Sequence, residues 1–270
     1  MRRRPRGLVL FGNGINCEVE TAYAQRKVGF AVDLVHINTF SEEPHRVFRY
    51  DMLTLPGGFL DGDDLGAAKA QAMRWKYKRV SFHGKTIVEV LLEFVSKGGL
   101  LLGICNGFQL LVKTALLPCY RGTSGRQVVS LTFNDSGKFE GRWVFLKVNQ
   151  HSPCIFTRGL DLICLPCRHG EGKFITTDPF LVTLQRKEQI VVQYSDSFGN
   201  VTDEYPLNPN GSILGIAGIC DETGRIFGLM PHPEVCVEFV QHPLWTRLKE
   251  RRMDGIRIFE NAYRYAKENL

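Results

Sequence analysis

Short apolar runs alternate with longer stretches of mixed polarity in the first half of the chain. The apolar runs lack the alternation of a strand with one wet face, so they predict strands that are buried on both sides. Between them, apolar residues recur at helical spacing. The predicted strands are residues 8–11, 31–35, 52–55 and 100–102, and the predicted helices are residues 18–28, 86–96 and 108–117.

Strand signals dominate the second half, and an amphipathic helix over residues 254–269 closes the chain. The sequence Asp221-Glu-Thr-Gly224 is typical of a hairpin turn between the last two strands. Strands that alternate with helices predict an α/β fold: a mostly parallel sheet with helices on both faces and a strand-rich second half. The predicted strands of this half are residues 143–148, 162–165, 190–194, 213–219 and 226–229.

The chain contains neither an internal repeat nor a low-complexity linker, so we predict a single domain over residues 1–270. A helical C-terminal extension is expected from about residue 242 to residue 270. No run approaches the ~18 apolar residues of a membrane span, and the apolar run behind the basic start is too short for a signal peptide. We therefore predict a cytoplasmic protein without a membrane contact, whose eight scattered cysteines are reduced thiols.

The net charge of +6 raises the question of nucleic-acid binding. The positive residues cluster at residues 2–6, 74–79 and 247–252, and no aromatic-basic RNA-binding motif accompanies them. A solvated or partner-facing surface explains them better, so no nucleic-acid partner is predicted.

The most informative local motif is Gly103-Ile-Cys-Asn-Gly107, which follows an apolar strand and precedes a helix. A nucleophile between two glycines in this context is typical of a nucleophile elbow, because the tight turn leaves no room for side chains. Cys105 would also lie at a helix N-terminus, where the dipole favours a thiolate. The alternative is a buried structural cysteine between two turn glycines.

A second motif, Pro231-His-Pro-Glu234, follows the last apolar strand. The following proline favours extended geometry at His232, and residues i and i+2 of an extended segment point to the same side. His232 and Glu234 are therefore predicted to form a base and the carboxylate that orients it. The alternative is a surface loop that carries the two residues by chance.

A third motif, Leu55-Pro-Gly-Gly-Phe59, also lies at a strand end. An oxyanion hole needs two backbone N–H donors, and we predict those of Gly58 and Asn106. All three motifs lie at carboxyl ends of predicted parallel strands, where open α/β sheets bind ligands. Cys105, His232 and Glu234 together indicate acyl transfer through a thioester.

With these motifs the sequence resembles class I glutamine amidotransferases. Among them it most resembles the glutaminase subunits of phosphoribosylformylglycinamidine synthase. The resemblance implies a flavodoxin-like class I amidotransferase fold, with Cys105 as nucleophile, His232 as base, Glu234 as its orienter and Gly58 and Asn106 in the oxyanion hole. It also implies that Gln109 helps to line the glutamine pocket. The matching stretches are residues 55–59, 103–109, 134–140, 169–172, 210–213 and 228–234.

The resemblance further implies that L-glutamine is hydrolysed and that the ammonia passes to a large (PurL-like) synthase subunit, with a small (PurS-like) third subunit as a further partner. No metal or cofactor is expected in this chain, whereas ATP and Mg²⁺ are expected in the partner synthase. Departures from the family pattern occur at Gly62-Asp-Asp-Leu-Gly66 and at Val235-Cys236. They leave the three catalytic candidates intact, and the resemblance therefore does not define how the partner docks or which synthase is served.

Other cysteines are weaker candidates. Cys164 and Cys167 have metal or redox spacing but no second pair, so structural thiols are predicted. His169 is better explained by the His169-Gly-Glu-Gly172 resemblance than by zinc. Cys17 precedes a predicted helix but has no evident base in the sequence. Three alternative functions remain: a class I glutaminase of another synthase, a γ-glutamyl hydrolase, and an inactive regulatory paralogue.

Overall fold

The computed structural model describes residues 3–62, 65–80, 84–119, 125–248 and 253–270. Eleven strands and seven α-helices lie in these residues. The strands are β1 Arg6–Phe11, β2 Ala31–His36, β3 Met52–Leu55, β4 Leu100–Ile104, β5 Val129–Thr132, β6 Glu140–Val148, β7 Leu162–His169, β8 Lys173–Thr176, β9 Ile190–Ser195, β10 Ile216–Cys220 and β11 Ile226–Leu229. The helices are α1 Glu18–Val28, α2 Ile37–Glu42, α3 Lys69–Tyr77, α4 Ile87–Ser96, α5 Asn106–Lys113, α6 Asp178–Arg186 and α7 Asp254–Asn269.

Nine of the strands form one sheet in the order β2-β1-β3-β4-β11-β10-β9-β6-β7, and β5 pairs with β8 in a small antiparallel sheet. The pairs from β2 to β11 are parallel, and the remaining pairs are antiparallel. Because two reversals restore the original direction, all strands of the nine-stranded sheet except β10 and β6 run the same way. The predicted mostly parallel sheet is confirmed, and the carboxyl ends of β1, β3, β4, β11 and β7 meet at one edge.

The central strands are buried at every position. This holds for β3, β4, β10 and β11, so both faces of the sheet are covered, as their uninterrupted apolar sequences predict. Helix α4 is an example of the helices that cover the sheet. A capping box of Thr86 and Glu89 starts it, and it buries Ile87, Val90, Leu91 and Phe94 at helical spacing. Truncation of the buried Phe94 to alanine would cost about 3–5 kcal/mol.

Most predicted elements occur within a few residues of their predicted bounds. Four have a bound that differs by three or four residues. Strand β6 starts at Glu140 instead of 143, and β7 ends at His169 instead of 165. Strand β10 starts at Ile216 instead of 213, because Leu214 has φ 51° and ψ 26° and interrupts extended geometry. Helix α5 spans Asn106–Lys113 instead of 108–117. The pattern missed the helices α2, α3 and α6 and the strands β5 and β8. The two strands have only four residues each, which hold too few alternations to stand out.

The C-terminal extension is helical only in part. Helix α7 occupies Asp254–Asn269 and contacts α1 and β7. Residues 243–247 form turns and residues 242 and 248 are irregular, instead of the predicted helix, and residues 249–252 lie outside the described residues. None of the helices in the described ranges combines the length and the apolar character needed to cross a bilayer.

Part of the positive charge is paired within the chain. Arg3 contacts Asp51 at 3.0 Å through Nη1, Arg6 contacts Asp33 at 2.9 Å, and Arg74 contacts Asp61 at 2.8 Å. These pairs agree with a solvated surface. Residue 2 of the first cluster, residues 249–252 of the third, and residues 63–64 of the departing segment lie outside the described ranges.

Candidate active site

Cys105 forms a strained turn directly after β4. It is the N-cap of α5 and has φ 50° and ψ −104°, and its N–H donates to the carbonyl of Leu229 at 2.8 Å. A Cβ on Gly107 would lie 2.0 Å from the carbonyl oxygen of Leu55, and one on Gly103 would lie 2.8 Å from that of Gly107. Only glycine fits at these two positions, as expected of a nucleophile elbow.

His232 and Glu234 point to the same side after β11, as the Pro-His-Pro-Glu pattern predicts. His232 has φ −107° and ψ 93°, and its Nδ1 lies 2.5 Å from Oε1 of Glu234. Both side chains are buried, at 2% and 0% exposure. Burial alone would lower the pKa of His232, but the Glu234 carboxylate and the Cys105 thiol raise it well above its usual value.

Gly57 lies where the cysteine and the histidine meet. A Cβ at this position would lie 2.6 Å from Cε1 of His232 and 3.4 Å from Cβ of Cys105. The two side chains thus face the same backbone position from the ends of the neighbouring strands β4 and β11. The Nε2 atom of His232 is buried and has no hydrogen-bond partner among the residues the structure describes, so it is available for a proton transfer.

The two predicted oxyanion-hole residues flank Cys105. Phe59 N–H donates to Gly14 and Asn16 N–H donates to Gly57, so Ile15 and Gly58 are a non-hydrogen-bonded antiparallel pair. In such a pair the N–H points away from the partner segment, so the amide of Gly58 is not used in this pairing, and Gly58 lines the cavity. Its part in an oxyanion hole stays a prediction. Asn106 is the first residue of α5, where a backbone N–H has no intrahelical acceptor.

Gln109 lies behind the elbow. Its Oε1 accepts from Asn106 Nδ2 at 3.0 Å, and its Nε2 donates to the carbonyl of Glu171 at 2.6 Å. Its side chain is 4% exposed. In the described structure both ends of the amide are used to join the elbow to the segment after β7, and its part in lining a glutamine pocket stays a prediction.

A cavity of about 180 Å³ opens at this edge of the sheet. Among its walls are residues the sequence reasoning did not assign: Phe139 before β6 and Arg168 on β7. No spacing rule identifies them. The signals are that Phe139 lies within the matching stretch 134–140 and that Arg168 directly precedes His169-Gly-Glu-Gly172. The cavity is lined by Asn16, Cys17, Gly58, Phe59, Cys105, Phe139, Arg168 and His232.

Cys17 also faces His232. This corrects the interpretation from the sequence that Cys17 has no base nearby. Its sulfur lies 3.9 Å from Nδ1 of His232, 3.6 Å from Nη2 of Arg168 and 3.3 Å from Oδ1 of Asn16. Burial raises the pKa of the Cys17 thiol. This thiol is therefore held in its neutral form beside the catalytic candidates.

Cys17, His232 and Glu234 are also the group of potential metal ligands in the described part of the chain, with ligand atoms within 4.8 Å of one another. The 2.5 Å contact between His232 and Glu234 is shorter than the roughly 3.3 Å that separates two nitrogen or oxygen ligands on tetrahedral zinc. This arrangement suits a shared proton better than a metal. Cys164 and Cys167, three positions apart on β7, point to opposite faces of the strand.

Three of the stretches that match the family, residues 134–140, 169–172 and 210–213, are joined in one hydrogen-bonded cluster. Asn134 accepts from the His169 ring at 3.1 Å and from the Gly172 N–H at 3.1 Å. Asn210 donates to the carbonyl of Gly172 at 2.9 Å, and Ser212 donates to Asn210 at 2.7 Å. Burial lowers the pKa of His169 to about 4, so the ring is neutral. The cluster supports the backbone next to Arg168.

Comparison with known proteins adds independent evidence. The family model of a CobB/CobQ-like glutamine amidotransferase domain matches residues 4–266. The phosphoribosylformylglycinamidine synthase subunit PurQ of Dehalococcoides mccartyi is 43% identical over 97% of both chains. The same subunit of Archaeoglobus fulgidus is 39% identical over 95% of both chains.

Solved structures agree. A chain in the PurLQS structure from Thermotoga maritima matches with a TM-score of 0.69 and 29% identity, over 97% of this chain and 99% of that one. The glutaminase domain of Trypanosoma brucei CTPS with bound acivicin matches with a TM-score of 0.53 at 11% identity. At that identity the second likeness supports the fold alone.

Proposed function

This chain belongs to the family of CobB/CobQ-like glutamine amidotransferase domains, and on that premise we propose how its cavity performs the glutaminase reaction. The chain is the glutaminase subunit of a phosphoribosylformylglycinamidine synthase, in purine biosynthesis. The observation that supports the catalytic assignment best is the meeting of Cys105 and the buried His232–Glu234 pair around Gly57.

The proposed reaction starts with attack of the Cys105 thiolate on the carboxamide carbon of glutamine. The oxyanion of the tetrahedral intermediate accepts hydrogen bonds from the N–H groups of Gly58 and Asn106. Protonated His232 gives its proton to the leaving nitrogen, so that ammonia departs and a thioester remains. Water, deprotonated by His232, then attacks the thioester, and glutamate and the free thiol are released.

Glu234 would act on the imidazole and not on glutamine. Its carboxylate accepts the Nδ1 proton at 2.5 Å, which leaves Nε2 as the atom that gains and loses a proton during the reaction. The same contact stabilises the imidazolium that forms when Cys105 is a thiolate. The fully buried position of Glu234 strengthens this attraction, because the local dielectric is low.

The partners follow from the relatives. The Thermotoga maritima structure is one of PurLQS, so a PurL-like large subunit and a PurS-like small subunit are the partners of this chain. We propose that the ammonia is used by the large subunit, which would bind ATP and Mg²⁺. All eight cysteines are free thiols, which agrees with our proposal of a cytoplasmic protein.

The decisive experiment measures release of glutamate from L-glutamine by the purified chain, alone and with a PurL-like and a PurS-like subunit and their substrates. We expect a low basal rate that rises in the complex, because ammonia released into water is protonated and lost to synthesis. Equal rates in both conditions would contradict coupling to a synthase. Absence of glutamate release in both would contradict the glutaminase assignment in favour of an inactive paralogue.

A further inference from the structure

Arg168 places a positive charge in the active-site cavity that the proposed mechanism does not use. Residues of β7 alternate in direction, so Cys167 and His169 are buried whereas Arg168 points out of the sheet. Its side chain is 43% exposed, and it lines the cavity together with Cys105 and His232. The carbonyl of the same residue accepts from the Cys105 thiol at 3.6 Å. One residue thus borders the nucleophile with its backbone and the cavity with its guanidinium.

The charge of this guanidinium is only weakly balanced. Nη2 lies 3.4 Å from Nδ1 of His232, 3.6 Å from the Cys17 sulfur and 4.0 Å from Oε1 of Glu234. Glu234 is already engaged by His232 at 2.5 Å, and burial keeps the Cys17 thiol neutral. All of these contacts use Nη2, so the other N–H groups of the guanidinium have no side-chain partner in the described ranges and can bind a ligand.

We propose that Arg168 binds the α-carboxylate of glutamine and is a specificity-determining residue of this site, an inference that rests on the proposed glutaminase function. Glutamine must lie with its carboxamide at Cys105, and its free carboxylate then lies a short aliphatic chain away within the same small cavity. Among the described residues that line the cavity, Arg168 is the one with a permanent positive charge. A guanidinium binds a carboxylate through two parallel hydrogen bonds, which a point charge cannot reproduce.

The Cys17 thiol helps to orient the guanidinium of Arg168. Its sulfur accepts from Nη2 of Arg168 while Asn16 receives the thiol proton. The pair holds one edge of the guanidinium and leaves the opposite edge free. Cys17 is thus a positioning residue for Arg168, which explains why a thiol next to His232 has no step in the reaction.

The test compares L-glutamine with L-glutamine α-amide, which lacks the carboxylate charge, in the assembled complex. We expect the wild-type protein to prefer glutamine in kcat/KM. Arg168→Gln should reduce that preference by about ten- to a hundredfold, the usual worth of a charge-assisted hydrogen bond, with the larger change in KM for glutamine. Arg168→Lys should restore part of the preference. Arg186→Gln, an exposed arginine on α6 outside the cavity, is the matched control and should leave it unchanged.

A second experiment measures substrate binding in a protein that cannot turn glutamine over. Glutamine affinity is measured by calorimetry in a Cys105→Ala protein with and without Arg168→Gln, and we expect affinity to fall by the same factor as the preference. An equal loss for both substrates, or a fall in kcat with an unchanged KM, would overturn the proposal and assign Arg168 to support of Glu234. If the wild-type complex hydrolyses neither substrate, the proposed function itself is wrong.

Discussion

The sulfur of Cys17 lies 3.9 Å from Nδ1 of His232, although 215 positions separate the two residues in the chain. The cavity therefore contains two thiols around one imidazole, and both precede a helix, α1 for Cys17 and α5 for Cys105. Position at a helix N-terminus does not distinguish them. Backbone geometry does, because Cys105 has the positive φ of 50° of an elbow whereas Cys17 has φ −117°.

An electrophilic diazoketone analogue of glutamine is expected to label Cys105 and to leave Cys17 free. Burial raises the pKa of the Cys17 thiol, and a neutral thiol is a poor nucleophile. The measurement is peptide mapping by mass spectrometry after inactivation. A Cys17→Ala protein should still be labelled at Cys105. A label on Cys17 or on the buried Cys236 would show that the nucleophile is misassigned.

Replacement of the nucleophile should separate the two half-reactions of the complex. Cys105→Ala cannot form a thioester, so we expect glutamine-dependent synthesis to fall by at least about 10³-fold, as in other triad enzymes. The fold should survive because the change is small and keeps the Cβ, so the backbone strain at the positive φ of residue 105 is unchanged.

With ammonium salt in place of glutamine, the same complex should still make product. His232→Ala should behave in the same way. Loss of ammonium-dependent synthesis in an assembled Cys105→Ala complex would contradict a separable ammonia donor.

Glu234→Gln should reduce glutamine hydrolysis less than Cys105→Ala does, because both reacting groups remain. The Glu234 carboxylate helps to raise the pKa of His232 above its usual 6.5. Because the proposed reaction needs protonated His232, removal of the carboxylate should move the alkaline limb of the kcat/KM profile to lower pH. In the wild-type protein, the stability due to the raised pKa is complete below pH 6.5 and is lost as pH rises through the raised value. The checks are pH profiles of kcat/KM and urea midpoints for both proteins; identical profiles would show that Glu234 does not act on His232.

His169 should make the protein less stable in mild acid. Burial lowers the pKa of His169 from 6.5 to about 4. Between these two pH values the histidine is protonated in the unfolded chain but neutral in the folded chain. Stability therefore falls as pH drops from 6.5 to about 4, by about 3 kcal/mol. Urea unfolding across this range should show a shallower pH dependence for His169→Gln than for the wild-type protein. The exposed His151→Gln is the control, and equal slopes in all three proteins would refute the assignment.

Gly107→Ala should damage both the fold and the site. The added methyl would lie 2.0 Å from the carbonyl oxygen of Leu55, so the elbow must shift, at a cost of roughly 1–3 kcal/mol or more. Gly170→Ala is the matched control, since its Cβ would meet nothing within 4 Å. Thermal unfolding and glutamine hydrolysis should change for the first variant only. A fully active Gly107→Ala protein would exclude a tight elbow at this position.

Much of the site was predictable because its parts depend on residues that are close in the chain. The glycines at positions 103 and 107 indicate a tight turn whatever surrounds them, and a proline after His232 favours the extended geometry that turns Glu234 to the same side. Uninterrupted apolar runs likewise predicted buried strands such as β3, β4 and β11. These are local steric and hydrophobic effects, which a single sequence expresses directly.

Only the tertiary structure decided which of these parts meet. The pairing of β11 with β4 brings His232 to Cys105, and the loop after β1 brings Cys17 to His232. The common direction of β7 and β4 puts Arg168 above the same cavity. The structure also shows that the Gln109 amide joins the elbow to Glu171, while the place of Gln109 in a glutamine pocket stays a prediction of the resemblance. Strand order is set by packing between distant segments, and a periodicity of a few residues carries no information about it.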